Sequence, residues 1–89
     1  MSYISEIRSK IGKEPVILVG VCGIIVSGDK KILLQRRADN GTWCLPGGLM
    51  ELGETAESTL RRELREELDI EVVDPKFFGV YTNRPVITY

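Results

Sequence analysis

Histidine is absent from these 89 residues. That absence excludes Ser-His-Asp and Cys-His nucleophile arrangements together with every imidazole metal site. Cysteine is scarce. Cys22 and Cys44 stand far apart with no CxxC pairing, which fits free thiols in a reducing compartment and leaves oxygen as the expected metal donor. No apolar run approaches the roughly 18 residues that cross a bilayer. The opening stretch MSYISEIRSK has no apolar signal core either, so the expected location is the cytoplasm, with no membrane association. The formal net charge is only -1 and the pI is about 5.4. Without a basic stripe or a basic patch carrying aromatics, no stable nucleic-acid binding is expected. A P-loop lysine and a GxGxxG run are also missing, which excludes those two nucleotide-binding designs.

What is present describes one globular domain, or a piece of one, over residues 1–89. Hydrophobic residues make up 43% and charged residues 28%, with nine Gly and four Pro. A chain of this size has a thin core. Ile4, Ile7 and Ile11 recur at spacings of three and four, predicting a short amphipathic helix over 3–11 that packs on the domain. VILVGVCGIIV is apolar throughout and rich in β-branched residues, which predicts a strand covered on both faces. SGDK then turns the chain into KILLQRR, expected to pair with the first strand as a hairpin, and ADNG is a second turn before a short strand holding Trp43. EVVDPKFFGVYTN reads as further strand interrupted at Pro75, and PVITY begins another. Strands around one strong helix indicate α+β or mixed α/β layering.

The acids are distributed unevenly. Eight of the thirteen fall between Glu51 and Glu71, against three arginines. Thr55 is a good N-cap and Glu57 suits the helix dipole, so a helix is expected from 56 to 68 with Ala56, Leu60, Leu64 and Leu68 toward the core. Glu63, Glu66 and Glu67 then share one flank at i, i+3 and i+4, while Arg61, Arg62 and Arg65 are expected to point elsewhere. Like charges at that spacing repel, and a divalent cation removes the repulsion. Three carboxylates without imidazole suit a hard ion, Mg²⁺ or Mn²⁺, which completes its shell with water and substrate phosphates. The alternative is a solvated helix that is merely rich in Glu. The glycines of PGGLMELGE allow backbone to approach an ion or phosphate closely.

The spacing Gly48-x5-Glu54-x7-Arg62-Glu63-Leu64-x-Glu66-Glu67-x-Asp69-Ile70 resembles the Nudix hydrolase signature at eight of its nine specified positions. The departure is Asp69, where that family has a glycine in a left-handed conformation after the helix; Asp adopts this at a cost of roughly 1 kcal/mol. The resemblance implies a Nudix-type α/β/α sandwich and hydrolysis of nucleoside diphosphates linked to another group. It implies divalent ions held by Glu63, Glu66, Glu67 and the Gly47 carbonyl, with Arg62 orienting the carboxylates. Glu63, Arg62 and Glu66 are the implied catalytic residues, Glu63 being the expected general base, and Gly48 and Glu54 support the loop, the metal shell or the substrate.

The chain ends inside PVITY without a turn or cap. This leads us to expect a truncated domain lacking part of the sheet and pocket, with turnover expected of a longer parent, and an open strand leaves room for a homodimer. Which nucleotide is cleaved stays open. Trp43, Phe77, Phe78 and Tyr81 are candidates for stacking on a base, although such residues are more often core. Arg36, Arg37 and Arg84 are candidates for phosphate contact, and Pro85 is a weak pointer to ADP-ribose. A catalytically silent Nudix-like module that binds a nucleotide or a protein is the alternative to an enzyme.

Overall fold

Thr55 and Ser58 start the main helix by exchanging hydrogen bonds. The Thr55 hydroxyl accepts the Ser58 N–H at 3.1 Å and the Ser58 hydroxyl accepts the Thr55 N–H at 2.9 Å, a capping box that satisfies two otherwise orphaned donors. In the computed structural model, which describes residues 2–81, this helix, α2, spans Ala56–Leu68. A shorter helix, α1, spans Tyr3–Ile11 behind an Ser2 N-cap, and four short strands lie between them: β1 (Gly20–Cys22), β2 (Gln35–Arg36), β3 (Trp43–Cys44) and β4 (Gly47–Leu49). The architecture is mixed α+β with small antiparallel sheets, consistent with a Nudix-type fold.

β1 pairs antiparallel with β4, placing Val21 opposite Gly48 and Cys22 opposite Gly47. Flanking bonds from Gly23 N–H to the Pro46 carbonyl (2.8 Å) and from Met50 N–H to the Val19 carbonyl (2.9 Å) lengthen this pairing. α2 packs across β4 and β1. Its buried residues are Leu64, 2% exposed, and Thr59, fully enclosed, with Leu60 and Leu68 half-buried. Ala56 is exposed, against expectation, because the buried stripe enters the helix one turn later. Thr59 tolerates burial because its hydroxyl lies 3.0 Å from the Thr55 carbonyl and 3.1 Å from a Glu54 carboxylate oxygen.

Beyond that layer the expected strands are shorter and more exposed. SGDK does turn the chain, with Ser27 N–H bonded to the Lys31 carbonyl and Val26 bridging Ile32. The hairpin ends there, and Gln35–Arg36 pairs with Trp43–Cys44 across the ADNG turn instead of with β1. The apolar run 16–26 is not covered on both faces: Ile17 is 93% exposed, and Val19 and Val26 are more than half exposed. α2 packs on β1, and Tyr3 and Ile4 of α1 border Ile17 to Val19 along an open cavity. Residues 71–81 form no strand, and Phe77, Phe78 and Tyr81 are exposed along with Trp43. PVITY, with Arg84 and Pro85, lies outside the described residues. Among the described residues, no helix is long and apolar enough to cross a membrane.

α2 stops at Asp69, which adopts the left-handed conformation, φ 52° and ψ 39°. The Asp69 N–H reaches the Arg65 carbonyl at 3.1 Å and the Ile70 N–H reaches the Leu64 carbonyl at 3.2 Å, closing the last turn. Asp69→Gly is therefore expected to stabilise the protein by up to about 1 kcal/mol. That corresponds to a rise in melting temperature of about 4–8 °C for a domain of this size, readable by circular dichroism. A fall would show that the Asp69 side chain contributes more than its backbone strain costs.

Candidate functional site

Arg62 organises the acids around it. Its guanidinium carries five N–H donors in a fixed fork, and all five have acceptors. Nε and Nη2 grip the two oxygens of Glu54 at 2.7 and 2.9 Å, and Nη2 also reaches the Leu49 carbonyl at 3.1 Å. Nη1 donates to Glu63 Oε1 at 2.7 Å and, at 3.5 Å, to Glu66 Oε2. The expectation that Arg62 points away from the acids is thus corrected. Glu66, one turn on, already shares a face with Arg62, as helical spacing pairs them; what the wheel does not show is that the long arginine side chain also curls over Glu63.

Glu54 is the second hub. Besides the Arg62 fork, Oε1 accepts the Glu51 N–H at 2.8 Å and meets the Thr59 hydroxyl. The arginine fork, followed by the Glu51 amide, pulls its carboxyl down to about 2 from the ordinary glutamate value of 4.5. The same acids push the Arg62 guanidinium upward, Glu54 foremost. Through Glu54 the turn after β4 is tied to the first two turns of α2.

Glu63 lies against the glycine turn. A Cβ on Gly48 would overlap the Glu63 carboxylate, so the missing side chain at Gly48 is the space that Glu63 occupies. Only 14% of the Glu63 side chain is exposed. One of its oxygens is held by Arg62, and the other has no hydrogen-bond partner among the described residues. Glu66 is 61% exposed at the far end of the arginine. Glu67 borders an open cleft of about 790 Å³ with Gly47, Gly48, Arg36 and Arg37. Arg37 is paired there with Asp39 at 2.8–3.0 Å.

The structure therefore gathers Glu54, Arg62, Glu63, Glu66 and Gly48, and sets Glu67 and Gly47 on the neighbouring cleft. Among the described residues no three acids or thiols converge closely enough to hold a metal ion as they stand. The donor set fits a hard divalent cation in kind: carboxylates and a carbonyl, no imidazole, and a cradle beside Gly48 that a Cβ would fill. Bringing Glu63, Glu66 and Glu67 onto one ion requires rotation of side chains that Arg62 now holds. Sequence reasoning missed Thr59, Glu51 and the Leu49 carbonyl. Of these, Thr59 had a readable signal, a polar residue one position before Leu60 on the apolar side of the helix.

An oxygen-only acid site, ordered by one arginine beside a glycine turn and feeding a helix, defines the class. Comparison with known proteins gives the family. The family model described as NUDIX domain matches residues 17–88, and the chain belongs to the Nudix family. It is 49% identical over 69 residues to a "MutT-like protein" of Streptomyces ambofaciens, covering 78% of this chain and 45% of that one. It is 39% identical over 62 residues to the "Uncharacterized Nudix hydrolase YvcI" of Bacillus subtilis, covering 70% and 39%. It is 43% identical over 68 residues to an "ADP-ribose pyrophosphatase" of Methanocaldococcus jannaschii, covering 73% and 40%. The chain thus spans less than half the length of these curated relatives. No solved structure matches it.

Proposed function

We propose that the protein hydrolyses phosphoric anhydrides, cleaving the diphosphate of a nucleoside diphosphate linked to a second group, with Mg²⁺ or Mn²⁺ as cofactor. The observation that carries this reading is the Arg62 assembly, in which one guanidinium holds Glu54 and Glu63 while Gly48 leaves room for the Glu63 carboxylate. Glu63, Glu66, Glu67 and the Gly47 carbonyl are the groups that would hold the ion. When bound, the ion supplies a more acidic water and neutralises diphosphate charge. Glu63 has one oxygen uncommitted among the described residues and serves as the general base, accepting the proton of the attacking water. Arg62 holds Glu63 and Glu66 in orientation, and Glu54 fixes Arg62. The cleft beside Glu67, with Arg36 and Arg37 on its wall, takes the substrate.

ADP-ribose and nucleoside triphosphates are the first substrates to test, because relatives carry the names "ADP-ribose pyrophosphatase" and "Nucleoside triphosphatase NudI". The assay measures phosphate or nucleoside monophosphate release by the protein with each ion. Turnover is expected in Mg²⁺ or Mn²⁺ and is expected to vanish in excess EDTA. Turnover that persists in EDTA would defeat the proposal. One observation favours a second reading, a nucleotide-binding module without turnover: Arg62 occupies carboxylate oxygens that an ion would need. Calorimetry showing nucleotide binding by a protein that never turns over would establish it.

A further inference from the structure

Glu51 stands in the turn between β4 and α2, yet its carboxylate reaches the other helix. Oε2 accepts the Tyr3 backbone N–H at 2.6 Å. Tyr3 is the first residue of α1, where an N–H has no partner within the helix and a carboxylate also meets the positive end of the helix dipole. Among the described residues this is the sole hydrogen bond that joins residues 2–11 to anything beyond Glu14. The apolar grip is shallow. Ile4, Ile7 and Ile11 are half-buried, and Tyr3 and Ile4 border an open cavity of about 200 Å³ shared with Val19 and Leu52.

The backbone of the same residue faces the candidate site. Glu51 N–H donates to Glu54 Oε1 at 2.8 Å, Glu54 receives the Arg62 fork at 2.7 and 2.9 Å, and Arg62 holds Glu63 at 2.7 Å. An unbroken series of short contacts runs from the first amide of α1 to the carboxylate beside Gly48. We propose that Glu51 is a positioning residue that transmits the docking of α1 to Glu63, so that the N-terminal helix sets the geometry of the site. Its catalytic consequence rests on Glu63 serving the cation site proposed above. Losing the Glu51 side chain frees the Tyr3 N–H and slackens the turn, and the Glu51 amide then ceases to be aimed at Glu54. Arg62, gripped by Glu54 on two nitrogens, follows.

The backbone at Tyr3 allows a narrow test. Proline is well accepted as the first residue of a helix, and Ser2, at φ -75° and ψ 153°, already has the extended conformation that precedes proline. Tyr3→Pro therefore deletes the one N–H donor and leaves α1 able to form, whereas Tyr3→Ala removes the side chain and keeps the donor. Glu51→Ala and Glu51→Gln are the reciprocal pair, because glutamine retains an acceptor. Two readouts are taken well below the melting temperature, on samples with the parent's circular dichroism. One is hydrogen exchange at the Arg62 Nε–H by NMR, and the other is Mn²⁺ affinity from the free-ion electron paramagnetic resonance signal.

Tyr3→Pro and Glu51→Ala are expected to speed Arg62 exchange and to weaken Mn²⁺ binding about tenfold, the lower end for outer-shell residues, while Tyr3→Ala and Glu51→Gln stay within about threefold of the parent. A merely stabilising contact would lower the melting temperature and leave both readouts alone. Unchanged Arg62 exchange in Tyr3→Pro and Glu51→Ala overturns the coupling. Failure of the metal reading looks different: the parent and Glu63→Gln would then have equal Mn²⁺ affinity. In that event Arg62 exchange alone decides whether α1 is coupled to Glu63.

Discussion

Gly47→Ala is expected to cost about 3 kcal/mol or more of folding stability, at or above the top of the usual range for overpacking. A Cβ at this position would run into the Val21 carbonyl oxygen and the Cys22 backbone on the paired strand. Both are main-chain atoms. No rotamer change relieves the overlap, so β4 must move off β1, and these are the strands on which α2 packs. A chain of 89 residues has roughly 4–13 kcal/mol of stability in all, and one with a single buried leucine among the described residues belongs near the lower end. Urea titration followed by circular dichroism reads the effect as a lower midpoint with an unchanged slope. A loss below about 1 kcal/mol would mean that β1 and β4 are not held in this register.

Gly48→Ala makes the informative contrast. Here the added Cβ meets the end of the Glu63 side chain, which can swing away, and not a main chain. The stability loss should be smaller, about 1–2 kcal/mol from the disturbed Arg62–Glu63 contact. The site suffers more, since Glu63 can no longer lie where Gly48 leaves room. Adjacent glycines with the same substitution should thus separate a folding defect from a site defect.

How much of this was legible beforehand varied with the range of the interaction. α2 was readable to the residue, from Thr55 through Leu68, because capping and helical periodicity are local. Asp69 in a left-handed conformation was expected from the glycine that the Nudix signature has at this position. The strands were legible in part: β1, β2 and β3 fall inside the expected runs and the SGDK and ADNG turns form, but their lengths, partners and coverage differ. A continuous apolar, β-branched run over 16–26 says what those residues can do, but coverage depends on elements that pack from elsewhere, and Ile17 and Val19 are left exposed. In the site, spacing pointed to Glu54, Arg62, Glu63 and Gly48, which the fold brings together, yet it set Arg62 apart from the Glu63 flank. The reach of its side chain, and the presence of Glu54 to receive it, are properties of the folded turn. Glu51 carried no signal, because its partner is a backbone amide 48 residues away.

Arg62→Met is expected to reduce both Mn²⁺ affinity and turnover of the parent protein by about 100-fold, the upper end for residues that orient metal-binding side chains. Methionine keeps much of the apolar stem and abolishes all five donated hydrogen bonds. Lysine should rescue poorly, since a single ammonium cannot reproduce the fork on both Glu54 oxygens. The pH dependence of stability distinguishes this account from simple loss of packing. Glu54 has a depressed pKa in the folded protein, about 2 against an ordinary 4.5, with Arg62 as the main cause. A depressed carboxyl contributes stability that is present above its unfolded value and is lost as pH falls through the folded one. The advantage of the parent over Arg62→Met should therefore be full at neutral pH and shrink between pH 4.5 and about 2. Urea midpoints of the two proteins, measured across that window, should converge as Glu54 becomes protonated and the arginine loses its principal partner. A gap that stayed constant down to pH 2 would assign the cost of the substitution to the arginine stem, and the ion pair would lose its place as the organiser of the site.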